Sequence, residues 1–213
     1  EYLVSLLKSA LKGEATPSVP EGLDWAKLVE LSKKQQVYST IVPIINKINI
    51  PPEQAQELVF YSQNELVRMI AMKNELEEIE KELEKQGIRY MLLKGGVIRN
   101  YYPLQKMRQM SDFDLLYDEE NRSKVMAIMK NRGYSIVSNS ENSDDFFKKP
   151  YYTFEWHRAL FFEEHDFCPD FSDVWDNATQ DEKKKCEYHM SASDLYLHSV
   201  AHMFKHYILG GFG

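Results

Sequence analysis

Apolar residues return every three or four positions through most of the first third of the chain. The first such stretch covers residues 3–10 and is followed by Gly13, and Asp24 precedes a second one as a candidate N-cap. The longest stretch, 53–86, has lysine, glutamate and glutamine on its other face. This spacing is typical of amphipathic helices, and glycine commonly ends them. The pattern predicts a helical N-terminal region over residues 1–86.

The spacing changes after residue 86, where short apolar runs bounded by turn residues are typical of strands. Four runs of this kind are predicted strands: 88–94, 112–117, 134–137 and 146–160. Between them, the patterns predict a brief helix at 97–102 and an amphipathic helix at 119–133. Helical spacing returns at 191–209, with Ser193 as the predicted N-cap.

The order of these elements predicts an α+β fold, with a small mixed β-sheet flanked by N-terminal and C-terminal helices. We expect three regions: the helical region 1–86, a catalytic core over 87–190, and a C-terminal helical region over 191–213. Because the chain begins with Glu1 rather than methionine, either end of the sequence could be an internal boundary of a longer protein.

The net charge and the cysteines indicate which binding partners and which cellular compartment to expect. The net charge of −7, from 33 acidic and 26 basic side chains, argues against long nucleic acid as a partner, although a small anionic substrate stays compatible. The cysteines, Cys168 and Cys186, have no CxxC spacing, which favours a reducing, cytoplasmic setting. No apolar run is long enough for a bilayer, and we expect neither a secretory leader nor a membrane partner.

Two carboxylates stand one residue apart at the start of the predicted strand 112–117. Asp112 and Asp114 flank Phe113. Side chains at positions i and i+2 of a strand share a face, about 7 Å apart, so both carboxylates should project together while Phe113 enters the core. Like charges this close raise each other's pKa unless a cation neutralises them. Mg²⁺ does so, and it binds one or two carboxylates together with substrate phosphates.

A third acidic residue in the aromatic run 146–160 would complete a metal site. Glu155 lies among aromatic side chains, where a charge without a partner is costly. His157 follows at i+2 and should share its face. We therefore predict that Asp112, Asp114 and Glu155 are the metal-binding and catalytic carboxylates.

The segment ahead of the aspartates carries candidate phosphate ligands. Lys94 precedes Gly95 and Gly96, whose backbone N–H groups can approach an anion closely. Arg108 adds a guanidinium, which suits phosphate oxygens. In this order the residues fit two-metal phosphoryl transfer, in which metals clamp the phosphates and a carboxylate assists an incoming hydroxyl.

The stretches "LLKGGVIRNYYPLQKMRQMSDFDLLYD" (92–118) and "FEWHRAL" (154–160) resemble the nucleotidyltransferase superfamily of the DNA polymerase β type. More specifically, they resemble a largely uncharacterised bacterial group with a Lys-Gly turn, an Asp-x-Asp strand and a later Glu-x-His strand. The resemblance covers residues 88–160. It implies a nucleotidyltransferase core and transfer of a nucleoside monophosphate from an NTP to an acceptor hydroxyl, with Mg²⁺, or alternatively Mn²⁺, as cofactor.

The same resemblance implies roles for individual residues. Gly95 and Gly96 would cradle the triphosphate, and Lys94, Arg108 and Ser111 would contact it. Asp112 and Asp114 would bind metal, while Glu155 would complete the site and act as a base. The chain departs from the commoner Gly-Ser turn by having Lys-Gly-Gly, so its phosphate contacts would rest on backbone N–H groups and the lysine.

Two further interpretations stay open at the level of the sequence. One is a catalytically idle protein of the same fold that binds nucleotide or regulates a partner, as in a toxin–antitoxin pair. The other is a metal-dependent phosphohydrolase or nuclease, which would need an activated water. For an enzyme, the acceptor would be a small molecule or a protein side chain, with an RNA end less favoured by the acidic net charge.

Histidines recur at i, i+4 and i+8 on the predicted C-terminal helix. His198, His202 and His206 are flanked by aromatic residues, which favours a packing face over a transition-metal site. The alternative is that His202 or Lys205 faces the substrate cleft together with His157. A cluster of acids, a histidine and a cysteine at 163–170 favours a loop, with a metal site as the alternative.

Overall fold

The computed structural model describes residues 1–161 and 169–209, so most of the predicted loop at 163–170 lies outside the described residues. The helices are α1 (Tyr2–Lys12), α2 (Trp25–Lys34), α3 (Tyr38–Ile41), α4 (Pro52–Gln86), α5 (Lys94–Ile98), α6 (Arg122–Asn131) and α7 (Ala192–Leu209). The strands are β1 (Tyr90–Leu92), β2 (Phe113–Tyr117), β3 (Ser135–Asn139), β4 (Ser143–Lys148), β5 (Tyr152–His157), β6 (Thr179–Gln180) and β7 (Glu187–His189).

The chain divides into two compact units. The helical unit comprises Glu1–Lys73 and Ile98–Met110, and the sheet unit comprises Asn74–Val97 and Ser111–Gly213. Helix α4 contributes residues to both units. The functional boundaries expected from the sequence, after residues 86 and 190, remain a proposal.

The helical unit follows the apolar spacing of its sequence. Helix α1 ends where expected, since Gly13 adopts a left-handed φ of 68° that costs glycine little. The Asp24 carboxylate accepts a hydrogen bond from the Lys27 backbone N–H at 2.9 Å, which confirms the predicted cap of α2. The core joins α1, α2, α3, a 3-10 segment and the start of α4; its most buried members include Leu6, Ile41 and Leu58.

The sheet unit contains a seven-stranded mixed sheet in the order β3-β4-β5-β2-β1-β7-β6. Strand β2 lies near the middle, antiparallel to β1 and parallel to β5. Strands β1 and β7 are also parallel, while the two edges are antiparallel pairs. This arrangement confirms the predicted α+β class with a mixed sheet. It also buries β2 completely, so any polar side chain on that strand needs a partner.

Three details of the predicted elements are wrong. The run 146–160 is a hairpin rather than one strand, because Pro150 has no N–H to donate and separates β4 from β5. The short strands β6 and β7 carry too little apolar alternation to be predicted. The N-cap of α7 is Ser191 rather than Ser193, because the Ser191 hydroxyl accepts from the Asp194 N–H at 3.1 Å.

A partly buried ionic cluster joins the C-terminal half of α4 to strand β4 and to the residue that follows α6. The Glu75 carboxylate accepts from Arg132 at 2.9 Å and from Lys148 at 2.6 Å. Its side chain is only 13% exposed. Burial alone would raise the pKa of Glu75, but the hydrogen bonds from Arg132 and Lys148 outweigh burial and lower it. Glu75 therefore favours the folded state while it is ionised.

We expect Glu75→Gln to lower the free energy of unfolding by about 2 kcal/mol at neutral pH, because two cations lose their charged partner. The stabilisation by Glu75 is fully present at pH values above the pKa of a glutamate in the unfolded chain. It disappears as the pH falls through the lower pKa that Glu75 has in the folded protein. Urea unfolding at neutral and acidic pH measures both effects. Glu78→Gln is the matched control: Glu78 is an exposed residue of the same helix, paired with Lys81, and should change stability little. Equal losses for the two variants would contradict this account.

Candidate active site

Strands β2 and β5 place two carboxylates side by side in the sheet. The parallel pairing sets Asp114 opposite Glu155. Phe113 and Phe154, one residue earlier on each strand, point to the other face, where their rings stack with centroids 5.8 Å apart. The two-residue period of a strand thus separates a polar face from an aromatic core. Asp114 is 5% exposed, so its charge requires partners within the protein.

His157 lies beside these two carboxylates, and the three side chains form a compact group that could hold a metal ion. Ligand atoms of Asp114, Glu155 and His157 all lie within 4.8 Å of one another. The His157 Nε2 atom is 3.1 Å from Asp114 Oδ1 and 3.4 Å from Glu155 Oε2. His157 is two residues after Glu155 and projects from the same face of β5, as the sequence predicts.

Lys94 brings a positive charge to the same oxygens. Its ammonium donates to Asp114 Oδ1 at 2.5 Å and lies 3.5 Å from Glu155 Oε2. The strand order explains this approach, because β1 is antiparallel to β2 and Leu92 pairs with Leu115. Lys94 therefore leaves β1 beside the start of β2. Its backbone has a φ of 46°, in the left-handed region that a lysine rarely adopts.

The protonation of this group follows from its contacts. Burial alone would raise the pKa of Glu155, but the His157 hydrogen bond and the charges on His157 and Lys94 lower it strongly. Burial alone would lower the pKa of His157, and hydrogen bonds to Asp114 and Glu155 instead raise it above its ordinary value. Two carboxylates thus share the Lys94 ammonium and the His157 imidazole in a space that the sheet largely shields from water.

Asp112 lies at the edge of this group. It immediately precedes β2, and its Oδ1 accepts a hydrogen bond from the Ser111 hydroxyl at 3.0 Å. Burial, and secondly the charge of Asp114, raise the pKa of Asp112. Asp112 is not a member of the three-residue group whose ligand atoms converge. The roles predicted for Asp112 and Ser111 remain predictions.

The two glycines after Lys94 are buried in the short helix α5. The Gly96 N–H already donates to the Leu93 carbonyl at 3.1 Å. A Cβ on Gly96 would make ordinary contact with the Phe113 ring at 3.5 Å, so close packing does not by itself require glycine there. The predicted cradling of a triphosphate by Gly95 and Gly96 remains a prediction.

Arg108 belongs to the helical unit rather than to the sheet unit. Its guanidinium donates to the backbone carbonyl of its neighbour Gln109. The contact with a triphosphate predicted for Arg108 therefore remains a prediction.

Two histidines of helix α7 lie close enough to Lys94 for the charge of the lysine to affect their pKa values. His198 is buried against the rings of Phe161 and Phe171, which agrees with the predicted packing face for this residue. His202 is half-buried and His206 is exposed, so the packing face does not extend to the end of the histidine stripe. Burial, and secondly the positive charge of Lys94, lower the pKa of His198 and of His202 to about 3. Both imidazoles are therefore neutral at physiological pH. Whether His202 and half-buried Lys205 contact a substrate remains a prediction.

Sequence reasoning missed one acidic residue next to the site. Asp145 of β4 pairs with Glu155 across the antiparallel ladder, which places both side chains on one face. Burial and the charge of Glu155 raise the pKa of Asp145. The adjacent Asp144 points to the opposite face and binds Arg122 and Arg158. The signal in the sequence was the aspartate doublet directly before two phenylalanines in the same strand.

The sequence model of a family described as "uncharacterised nucleotidyltransferase" matches residues 21–213. The solution structure of the antibiotic-resistance factor ANT(2'')-Ia has a TM-score of 0.43 and 12% sequence identity, with 68% of this chain and 85% of that chain covered. A search of curated proteins found no match.

The family match extends well beyond the segment that carries the sequence motifs. It begins in the helical unit and includes Lys94, Asp114, Glu155 and His157, the residues that converge in the sheet unit. The protein is thus a transferase, as its motifs predict. The chain belongs to the uncharacterised nucleotidyltransferase family.

Proposed function

We propose that the protein transfers a nucleoside monophosphate from an NTP to a hydroxyl group of a small molecule or a protein. The observation that carries this proposal is the convergence of the Asp114 and Glu155 carboxylates with His157 and Lys94. Two carboxylates with a nearby cation supply the ligands that a metal-bound triphosphate needs. The family assignment supports the nucleotidyl-transfer chemistry.

The donor set fits a divalent cation. Carboxylate oxygens of Asp114 and Glu155 are hard ligands that suit Mg²⁺, and the imidazole nitrogen of His157 is a borderline ligand that transition metals such as Mn²⁺ accept more readily. Asp112, one residue before β2, is the further carboxylate that the resemblance implies. When bound, the ion would act as a Lewis acid on the phosphate oxygens.

The chain's own residues would bind the nucleotide and handle the proton. Lys94 would contact the phosphates. The acceptor oxygen would form a bond to the α-phosphorus as the bond to the departing pyrophosphate breaks. Glu155 is our candidate to accept the hydroxyl proton, with His157 orienting its carboxylate at 3.4 Å.

The choice of acceptor and compartment rests on composition. The net charge of −7 favours a small-molecule or protein acceptor over long nucleic acid. The cysteine usage supports a cytoplasmic setting. Within the described residues, no helix has both the length and the apolar character needed to cross a membrane.

Thermal unfolding tests nucleotide binding without knowledge of the acceptor. With Mg²⁺ or Mn²⁺ and an NTP at about 100 times its dissociation constant, we expect the midpoint to rise by about 5–10 °C, because the ligand binds only the folded state. Each of the four NTPs should be tried, since the base preference is open. The shift should vanish in Asp114→Asn.

Asp118→Asn is the matched control, because Asp118 lies just after β2 and pairs with Arg89 rather than with the site. This variant should keep the nucleotide-dependent shift. The absence of a shift with every triphosphate in the wild type would overturn the proposed function. A shift without any transfer activity would favour the idle, regulatory alternative.

A further inference from the structure

Lys94 occupies the point at which the ligand atoms of the candidate metal site converge. Its ammonium contacts Asp114 Oδ1 at 2.5 Å and Glu155 Oε2 at 3.5 Å. These are the same two oxygens that face His157 Nε2. A cation bound between Asp114 Oδ1 and Glu155 Oε2 would therefore compete with the lysine for these two oxygens.

Burial makes this competition strong. The side chains of Lys94 and Asp114 are 17% and 7% exposed, so solvent screens their charges little. The Lys94 ammonium forms ion pairs with both Asp114 and Glu155 in this shielded position. A second cation beside it would meet direct repulsion.

The backbone helps to hold the ammonium in this position. Lys94 has a left-handed φ of 46° at the junction of β1 and α5. The backbone on both sides is fixed, since the Leu93 N–H donates to the Asp114 carbonyl and the Gly96 N–H donates to the Leu93 carbonyl. The ammonium is thus carried by a rigid turn, and only the side chain is available to move.

We propose that the Lys94 ammonium is an internal counter-cation of Asp114 and Glu155. A divalent metal displaces it from these carboxylates, and it then pairs with the phosphates of the nucleotide. This inference rests on the proposed function, because the phosphates come from the NTP. Without nucleotide, the displaced ammonium has lost its carboxylate partners, so metal binds weakly. With nucleotide, phosphate oxygens replace those partners. Metal and nucleotide therefore bind cooperatively, and the coupling passes through one side chain.

Mn²⁺ binding tests the proposal without any turnover. Electron paramagnetic resonance of free Mn²⁺ gives the affinity of the wild type and of Lys94→Met, each with and without a non-hydrolysable NTP analogue. Without nucleotide, we expect Lys94→Met to bind Mn²⁺ at least about tenfold more tightly than the wild type. Adding the analogue should strengthen Mn²⁺ binding by at least about tenfold in the wild type and clearly less in the variant.

Further variants separate the charge of Lys94 from its shape and from the loss of a lysine elsewhere. Lys94→Arg keeps the positive charge and should keep weak Mn²⁺ binding without nucleotide. Lys124→Met removes the charge of an exposed lysine of α6 that donates to Asn121, and it should behave as the wild type. If Lys94→Met unfolds, Lys94→Gln keeps a polar side chain and provides the same comparison. The thermal unfolding midpoint of each variant checks its folding.

Equal or weaker Mn²⁺ binding by Lys94→Met without nucleotide would overturn the counter-cation role, as would the absence of Mn²⁺ binding in every variant. These outcomes differ from failure of the proposed function, which is diagnosed by nucleotide binding in the wild type. A protein that binds nucleotide and Mn²⁺ independently would retain the proposed function and lose only the coupling.

Discussion

Replacing Asp114 by asparagine should reduce nucleotidyl transfer by about 10³-fold or more, because the buried carboxylate is the common partner of Lys94 and His157. Asparagine is nearly isosteric but carries no charge, so it cannot neutralise a divalent cation or form an ion pair with the lysine. Transfer can be measured as label from α-phosphate-labelled NTP that becomes attached to components of a cell lysate.

The control for this experiment is Asp118→Asn, in which a carboxylate paired with Arg89 outside the site is changed in the same way. Its transfer rate should stay within about twofold of the wild type. Circular dichroism establishes that both variants are folded. Transfer by Asp114→Asn at more than about one tenth of the wild-type rate would remove Asp114 from the chemistry.

Replacing Arg158 by methionine should cause the largest loss of stability, by about 3–5 kcal/mol in the free energy of unfolding. Asp144 is 1% exposed, and Arg158 donates to its Oδ2 at 2.5 Å. The same guanidinium also donates to the carbonyls of Ser140 and Glu141. Its loss leaves a buried charge with one partner fewer and two carbonyls without this donor. Urea unfolding measures the effect.

Arg122→Met is the matched comparison, since Arg122 binds the same carboxylate from a side chain that is 43% exposed. Water can replace part of that interaction, so we expect a smaller loss of stability than for Arg158→Met. A loss for Arg122→Met that equals or exceeds the loss for Arg158→Met would contradict the dominant role assigned to the buried guanidinium.

The spacing of apolar residues predicted the helices and strands that have one apolar face and one polar face. Helix α4 was predicted to begin at Glu53 and begins at Pro52, and both end at Gln86. The two-residue period of a strand also predicted that Glu155 and His157 share a face. These features depend on neighbours in the sequence, so they can be inferred without knowledge of the rest of the fold.

The pairing of β2 with β5 could not be derived from such periodicity. It brings Asp114 beside Glu155 across 41 positions of the sequence. The resemblance to known nucleotidyltransferases implied that Glu155, on a later strand, completes the site, but it did not give this pairing. The strands β6 and β7 were missed because two or three residues carry no detectable alternation. The position of the Lys94 ammonium depends on the pairing of β1, β2 and β5. The spacing of residues within one segment cannot predict that pairing.

A crystal structure of the protein with Mn²⁺ and a non-hydrolysable NTP analogue tests the central claim most directly. We expect an anomalous peak for Mn²⁺ bound by Asp114 and Glu155, with the Lys94 ammonium moved from these oxygens to the phosphates. A nucleotide bound elsewhere, with Lys94 still on Asp114 and no anomalous peak between the carboxylates, would contradict it.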